Sequence, residues 1–219
     1  MSADRELIDE QIAYYRARAG EYDATSPIDG DPFVEHTDMV RAAIHDLGRR
    51  ERVLELAAGT GQWTPQLADQ AGALLVTDSS PEMLDLNRAK TGPRDNVKYA
   101  IADALDMPPT HDRDLVFFGM FLSHVPPSRF EAFWDVLAGL LAPDGIAFVV
   151  DEADHGLWEE DWVDREAGLI HRTLNDGTVH RAVKVLWQPD SLAQQLAALG
   201  WEASLTGSGP FYWGIAGRR

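Results

Sequence analysis

Small residues and two glycines follow a short apolar run in the first third of the chain. Residues 53–61 read Val-Leu-Glu-Leu-Ala-Ala-Gly-Thr-Gly. The apolar run, Arg52 to Leu56, predicts a buried parallel strand, and a helix is predicted after the turn at Gln62 to Ala71. Glycine lets a backbone turn sharply and approach a ligand, and a helix start presents free N–H groups and partial positive charge. Such a turn holds the polar part of a nucleotide-like ligand.

The spacing of this turn allows three interpretations. The dinucleotide-binding fingerprint requires a third glycine, but Thr64 occupies that position. A second form of the turn alternates an acid, a small residue and two glycines, and Glu55, Ala57, Gly59 and Gly61 match it, with alanine in place of its first glycine. The third interpretation is an ordinary strand–turn–helix connection that binds no ligand.

Asp78 ends a second apolar run, Leu74 to Asp78. Ligands of doubly wound sheets lie beyond the carboxyl ends of the strands, so its carboxylate is placed to accept hydrogen bonds from ribose hydroxyls. Its position after Gly61 is close to the ~20-residue offset typical of ribose-binding acids. Ser79, Ser80 and Pro81 then read as the start of a helix. The alternative is an acid that only stabilises this helix start.

Tyrosines and arginines are concentrated at the end of the first predicted helix, which spans residues 5–19. The cluster comprises Tyr14, Tyr15, Arg16, Arg18 and Tyr22. One interpretation is a helix docked on the core with its tyrosines half buried. The other is a lid that closes over a ligand.

Two cations face the same way in a predicted β-hairpin at residues 168–187. The turn residues 175–177, Asn-Asp-Gly, suit a three-residue loop with a left-handed glycine. That register pairs Arg172 with His180 and places Arg172, His180 and Lys184 on one face, whereas a two-residue loop would place Arg172 and Lys184 on opposite faces. A planar arginine fork and a lysine point charge can bind the non-reacting oxygens of an acid. The alternative is a solvated strand face.

Histidine is the side chain best suited to act as a general base near neutral pH, and His124 follows the fourth predicted strand. An equally weighted alternative is a hydrogen-bonded structural histidine. His155 and the acidic run at 159–161 lack convincing metal-ligand spacing and are interpreted as a solvated loop. We therefore predict no metal site.

The composition limits the class of protein. The chain has 219 residues, 45% of them hydrophobic, with 36 acids, 19 Lys or Arg and a formal charge of −17. Nucleic acid and anionic membranes need cationic surface, so neither is an expected partner. The chain contains no cysteine, no apolar stretch of a signal peptide and no apolar run near the ~18 residues of a membrane span. We expect a cytoplasmic enzyme with a small-molecule substrate, as a monomer or homodimer.

Strands alternate with helices over most of the chain, which predicts a parallel sheet with right-handed crossovers. We expect one α/β domain over residues 1–219, with a helical cap at 1–48 and the hairpin at 168–187. A final antiparallel pair is expected near the end of the chain. The predicted strands are 52–56, 74–78, 97–103, 114–120, 146–150, 201–205 and 212–216.

Over nearly its whole length the chain resembles the class I S-adenosylmethionine-dependent methyltransferases. This implies a Rossmann-like, doubly wound seven-stranded sheet of order 3-2-1-4-5-7-6 with strand 7 antiparallel. It implies that Glu55 supports the glycine turn and the methionine amino group, Asp78 holds the ribose and Asp103 faces the adenine amino group. It also places Met83 on the adenine and Met120 beside the sulfonium. The remaining implied cofactor-binding residues are Tyr15, Arg18, Tyr22, Ala57, Gly59, Gly61, Trp63, Ser79, Ala104 and Gly119.

A second set of motifs is similar to phosphonate O-methyltransferases of the dehydrophos type. The resemblance implies that Arg172 and Lys184 bind the phosphonate, and we expect His180 and Tyr14 to bind the substrate as well. A tyrosine that those enzymes use has no counterpart in the stretch from Ser26 to Pro32. The matching motifs are Tyr14 to Ala19, Glu21 to Thr25, Trp63-Thr64, His124-Val125-Pro126 with 129–134, and 172–174 with 176–177 and 183–185.

The expected reaction is methyl transfer from S-adenosylmethionine to an oxygen of a small anionic metabolite, a phosphonate or carboxylate. Such an acid is already ionised at neutral pH and needs orienting cations rather than a base. The first alternative is N- or O-methylation of an uncharged natural product with His124 as base. The second is a protein that binds the cofactor without transferring methyl groups.

Overall fold

A computed structural model describes residues 3–25, 32–156 and 159–218 of the chain. Helices and strands alternate from α3 to β3 and from β4 to β5, but no helix lies between β3 and β4, and strands dominate after β5. In chain order the elements are α1 (Ala3–Arg18), α2 (Tyr22–Thr25), α3 (Val34–Asp46), β1 (Arg50–Leu56), α4 (Thr64–Gln70), β2 (Ala71–Asp78), α5 (Pro81–Thr91), β3 (Val97–Ile101), β4 (Arg113–Gly119), α6 (Phe130–Leu140), β5 (Leu141–Glu152), β6 (Trp162–Asp164), β7 (Leu169–Thr173), β8 (Val179–Val183), α7 (Pro189–Ala198), β9 (Trp201–Ser208) and β10 (Phe211–Arg218).

Seven strands form one sheet in the order β3-β2-β1-β4-β5-β10-β9. Strands β1 to β5 pair in parallel, and β10 pairs antiparallel with both β5 and β9. Counting only these seven strands, the order is 3-2-1-4-5-7-6, so the expected Rossmann-like fold is confirmed. The strand order reverses beside β1, which places the carboxyl ends of β1 and β4 around a crevice where ligands of such sheets bind.

Two consecutive phenylalanines on β4 show how the sheet buries both of its faces. Phe118 meets Phe133 and Trp134 of α6 edge-on at centroid distances of 5.3 and 6.1 Å. Phe117 faces the opposite way and stacks on Phe148 at 5.7 Å. Alternate side chains of a strand point to opposite faces, so a doubly covered strand must be apolar throughout. Helices α6 and α7 cover one face, and α3 and α4 cover the other.

A smaller sheet of order β6-β7-β8 lies beside the first. In it Arg172 pairs with His180, the register that the three-residue loop predicts. The Leu174 N–H donates to the Thr178 carbonyl at 2.9 Å, and Gly177 takes a φ of 88°. Strand β6 was absent from the sequence expectation.

Helix α1 packs against β8 and into the core. Ile8 is buried in the same cluster as Phe118. Glu10 and Gln11 both bond to the β8 strand. The loop expected at 24–32 begins later than predicted, because Ala24 and Thr25 end α2. Residues 26–31 of that loop, where the missing tyrosine was noted, lie outside the described residues.

Within the described ranges, the model contains no helix with the length and apolar character needed to span a bilayer.

Candidate active site

A cavity lies at the carboxyl ends of the central strands and is covered by α1. Its wall includes His124, Arg172 and Lys184, together with most residues that the family resemblance implied for the cofactor. These are Tyr15, Arg18, Tyr22, Ala57, Gly59, Trp63, Asp78, Ser79, Met83, Asp103, Ala104, Gly119 and Met120.

The glycine turn after β1 has the left-handed backbone that its sequence indicates. The φ angles are 48° at Ala57, 54° at Gly59 and 88° at Gly61. A Cβ atom on Gly61 would lie 2.9 Å from the side chain of Asn87, so glycine permits α5 to approach the turn. Gly61 therefore lies behind the cavity wall rather than on it, and its part is to shape the turn.

Glu55 also lies behind the turn, only 1% exposed and not on the cavity wall. Its Oε2 atom accepts a hydrogen bond from the Thr64 hydroxyl at 2.7 Å. Its Oε1 atom is buried without a hydrogen-bond partner among the described residues. Burial raises the pKa of Glu55 to about 8, against the opposing effect of the Thr64 bond. A buried polar atom without a partner is costly, and a raised pKa, which keeps the carboxyl group uncharged, lessens that cost.

Asp78 ties the turn to the start of α5. The Gly59 N–H donates to Oδ2 and the Ser80 N–H to Oδ1, both at 2.8 Å. Burial raises the pKa of Asp78, and these backbone hydrogen bonds oppose the rise. Each oxygen keeps acceptor capacity toward the cavity. Asp103 is held similarly, since its Oδ1 atom accepts from the Leu105 N–H at 2.9 Å.

The wall at the end of β4 depends on the absence of a side chain. A Cβ atom on Gly119 would lie 2.6 Å from the Trp63 indole nitrogen, so only glycine lets that ring pack there. Met120 follows with a φ of 55°, and its N–H donates to the Val150 carbonyl at 2.8 Å. This unusual backbone angle turns the methionine into the cavity.

Helix α1 covers the cavity, and of the three tyrosines in its cluster Tyr14 is buried while Tyr15 and Tyr22 are half-buried. The rings of Tyr14 and Tyr15 meet edge-on at a centroid distance of 4.9 Å. The Arg18 guanidinium lies 4.8 Å from the centroid of the Tyr22 ring, within range of a cation–π interaction. Helix α1 is thus docked on the core, as the first interpretation states, and it lies over the cavity, whereas a lid that closes over a ligand stays a prediction.

Both ring nitrogens of His124 are engaged by the protein. Nδ1 lies 2.7 Å from the Val183 carbonyl, and Nε2 lies 2.8 Å from the Tyr15 hydroxyl. A carbonyl can only accept, so Nδ1 carries the proton and Nε2 accepts from the tyrosine. Burial, with a smaller effect from Lys184, holds the pKa of His124 well below its usual value. The geometry favours the structural histidine over the base.

Arg172 and Lys184, the two cations predicted to bind the substrate, each have a carboxylate partner. Arg172 donates through both terminal nitrogens to Glu160, with Nη2 at 2.9 Å from Oε1. Burial alone would lower the pKa of Arg172, but the bonds and charge of Glu160 outweigh it and leave the pKa raised. Lys184 donates to Glu152, and both side chains are buried. The structure thus brings the two predicted cations to the cavity with most of their charge offset.

A second cavity opens beside the first, on the side of the smaller sheet. It is lined by Tyr14, Glu159, Asp161 and His171, among others. The residues that line both cavities mark their junction, and these are Arg18, Met120, Glu152 and Arg172.

His180 is the predicted substrate-binding residue that the structure does not bring to either cavity wall. Its ring packs against Tyr14 at a centroid distance of 5.6 Å. Its Nε2 atom is buried without a hydrogen-bond partner among the described residues. The register is as predicted, but the bulk of Tyr14 lies over the ring.

Comparisons with known proteins agree with this geometry. A family model described as a methyltransferase domain matches residues 53–145. The solved DhpI–SAH complex is 37% identical, with 97% of this chain and 98% of that one aligned and a TM-score of 0.79. The DhpI–SAM–HEP complex is 36% identical, with 99% of both chains aligned and a TM-score of 0.82.

The chain belongs to the class I S-adenosylmethionine-dependent methyltransferases. The family and its cofactor, S-adenosylmethionine, are thus as the sequence predicted.

A demethylmenaquinone methyltransferase from Staphylococcus aureus is also similar, at 31% identity over 100 residues. That stretch is 43% of this methyltransferase and spans only 42% of the curated relative.

Sequence reasoning missed several residues of this methyltransferase site. Gln11 bridges the site by donating to the His124 carbonyl at 3.0 Å and accepting from the Val183 N–H at 2.9 Å. Glu152 ends β5, so the strand-end reasoning applied to Asp78 would have found it.

The solvated-loop interpretation of the 155–161 stretch was wrong for two of its members. Glu160 is buried against Arg172, and the buried His155 side chain lies 3.0 Å from Glu152. No cluster of three or more His, Cys, Asp or Glu side chains placed to hold a metal occurs in the described part of this methyltransferase.

Proposed function

We propose that the protein transfers the methyl group of S-adenosylmethionine to an oxygen of a small acid, a phosphonate or carboxylate. The observation that carries this proposal is the position of Arg172 and Lys184 on the wall of the first cavity, with Arg172 also on the second. Two cations on the same cavity wall suit an oxyanion, because charge-assisted hydrogen bonds are short and strong. The match to the DhpI–SAM–HEP complex over 99% of both chains supports the same reaction class.

The residues around the glycine turn fit the cofactor. We assign Asp78 to the ribose hydroxyls, Asp103 to the adenine amino group, and Met83 to the adenine ring. Glu55 lies behind the cavity wall, so its part is to support the glycine turn, beside which we place the amino group of the methionine part. When bound there, S-adenosylmethionine supplies an activated methyl group on its sulfonium.

The chain's own contribution to the reaction is orientation and exclusion of water. Arg172 and Lys184 bind the non-reacting oxygens of the acid and direct the reacting oxygen along the methyl–sulfur axis. Holding two reactants in line contributes up to ~7–11 kcal/mol of the barrier. The acid is ionised at neutral pH, so no group needs to remove a proton. A reaction without a base agrees with the structure, because both ring nitrogens of His124 are already hydrogen-bonded within the protein.

A second candidate function is methylation of an uncharged acceptor. It is favoured by the carboxylate partners, Glu152 and Glu160, which offset the charge of both cations. This reaction would require His124 to release the Tyr15 hydroxyl and take a proton from the acceptor.

Turnover with a panel of acceptors tests the proposal. An alkylphosphonate, a short carboxylate and an uncharged alcohol are each incubated with S-adenosylmethionine, and S-adenosylhomocysteine is measured by mass spectrometry. We expect turnover with the acids. Arg172→Ala should raise KM for the acid by about 10- to 100-fold, the value of one or two charge-assisted hydrogen bonds.

The matched control is Arg181→Ala. Arg181 lies on β8 but points to solvent, where it pairs with Glu10, and it lines neither cavity. The KM of the Arg181→Ala variant for the acid should equal that of the wild type. Turnover of the alcohol alone, abolished by His124→Asn and insensitive to Arg172→Ala, would overturn the proposal in favour of the second candidate. No turnover with any acceptor, despite cofactor binding, would indicate a cofactor-binding protein.

A further inference from the structure

Lys184 lies one residue beyond β8, which ends at Val183. The direction of a side chain depends on the two planar peptide groups that flank its Cα atom, because only the dihedrals between them are soft. For Lys184 these groups join residues 183 to 184 and 184 to 185. In the first group the Lys184 N–H donates to the Gly168 carbonyl at 2.7 Å.

The segment after β4 binds both of these peptide groups. The Nδ1 atom of His124 donates to the Val183 carbonyl at 2.7 Å, which belongs to the first group. The Ser123 carbonyl accepts from the Val185 N–H at 2.7 Å, which belongs to the second. Two neighbouring residues thus hold the backbone on either side of Lys184.

The imidazole ring that makes the first of these bonds is itself held in one orientation. The Tyr15 hydroxyl donates to Nε2 of His124 at 2.8 Å, and this bond favours the tautomer in which Nδ1 carries the proton. The side chain of Gln11 donates to the His124 carbonyl at 3.0 Å. Helix α1 therefore holds both the ring and the backbone of His124, which in turn holds Val183.

The side chain of Lys184 is too confined to compensate for a displaced backbone. It is only 3% exposed, its ammonium group donates to Glu152, and it forms part of the cavity wall. A displacement of about 1 Å can reduce a reaction rate by up to ~100-fold when the reactants must be held in line. The bond from His124 to the Val183 carbonyl therefore bears on where the lysine meets the acceptor.

We propose that His124 is a positioning residue, which acts through the Val183 carbonyl to fix the direction in which Lys184 reaches the acceptor. The inference rests on the proposed function, because it takes Lys184 as a cation that binds the acid. It gives His124 a part in the reaction that involves no proton transfer. A base would need Nε2 to be free, whereas this role needs only the N–H group that faces Val183.

Two replacements of His124 separate the positioning role from the base. The amide nitrogen of asparagine can stand where Nδ1 stands in histidine and donate to the same carbonyl, whereas leucine has no donor. The value of kcat/KM for the full chain is measured with ethylphosphonate and with propionate, and the acid that the wild type uses better is kept. We expect a loss of at least about tenfold in His124→Leu and of less than about threefold in His124→Asn.

Either of two results with these variants would overturn the inference. One is a loss above about threefold in His124→Asn, which retains the donor. The other is a folded His124→Leu protein whose kcat/KM stays within about threefold of the wild type.

A double-mutant cycle tests whether His124 acts through Lys184. Lys184→Met removes the charge that His124 is proposed to place, so adding His124→Leu should lower kcat/KM by less than about twofold more. Added to Arg172→Met, the same change should still cost about tenfold. A tenfold loss in both backgrounds would overturn the inference and leave the proposed function intact, because His124 would then act independently of the lysine.

His45→Leu is the matched control for the loss of a histidine. His45 lies on α3 with 80% of its side chain exposed, and it lines neither cavity. The kcat/KM of this variant should equal that of the wild type. If the wild type methylated neither ethylphosphonate nor propionate, the proposed function would fail, and this inference with it.

Discussion

Ala57 occupies a backbone conformation that suits glycine. Its φ of 48° places an L-residue in the left-handed region, which costs about 1–2 kcal/mol. We predict that Ala57→Gly stabilises the protein by about 0.5–1 kcal/mol, because relief of this strain exceeds the entropy lost by glycine. Urea unfolding measures the change.

The neighbouring Ala58 supplies the control for this prediction. It belongs to the same turn, but its φ is not positive. Ala58→Gly should therefore destabilise the protein. If both variants destabilised it equally, Ala57 would carry no strain.

Glu55 gives the free protein a characteristic dependence of stability on pH. The pKa of this carboxyl is about 8 in the folded state, whereas its ordinary value is 4.5. Between these values the folded state holds a proton that the unfolded state has lost, so the free energy of unfolding falls as pH rises. We predict that Glu55→Gln flattens the decline over this window, as measured by urea unfolding of cofactor-free protein.

Glu51→Gln is the control for the pH experiment, since Glu51 lies on the same strand with 70% of its side chain exposed. It should retain the wild-type decline. A Glu55→Gln protein with that same decline would show that Glu55 titrates normally.

Several of the site residues that the sequence predicts follow strands or glycines in a recognisable order. Asp78 and Gly59 fit such a pattern, and both line the cavity. Glu160 and Gln11 do not, because each is a polar residue whose partner is distant in sequence. Only the tertiary structure shows that Glu160 meets Arg172 and that Gln11 meets Val183.

Helix α1 is fixed by one side chain both to the segment after β4 and to β8. Gln11 holds the backbone of His124 and of Val183 at the same time. We predict that Gln11→Leu destabilises the protein by about 2–4 kcal/mol, because a carbonyl and an N–H group then lose their buried partners. Urea unfolding gives the loss, and faster hydrogen exchange of the Val183 amide localises it.

Glu10→Gln is the matched change on the same helix. Glu10 pairs with Arg181 at the surface, where an ion pair contributes at most about 1 kcal/mol. A loss in Gln11→Leu no larger than that of Glu10→Gln would show that α1 is not fixed through Gln11.

Elements with strong local patterns were predictable, and those that depend on partners were not. The hairpin register follows from the turn residues 175–177, and the structure confirms it. Strand β6 has three residues, two of them exposed, and therefore no apolar pattern. It is a strand because β7 pairs with it.

At the scale of the whole molecule, the sheet order determines where chemistry can occur. The order reverses between β1 and β4, and the crevice there receives the glycine turn, α1 and the hairpin. We propose that the chain forms one domain, a view supported by the burial of α1 and of the large sheet in a shared core. The excess of acids, with a formal charge of −17, makes the two cations on the cavity wall stand out further.

The most direct test of the central claim is a crystal structure of the protein with S-adenosylhomocysteine and an alkylphosphonate monoester. The account predicts acid oxygens within hydrogen-bonding distance of Arg172 and Lys184, with one oxygen directed at the sulfur and the ribose hydroxyls on Asp78. An acid bound elsewhere, or a cofactor away from the glycine turn, would contradict it.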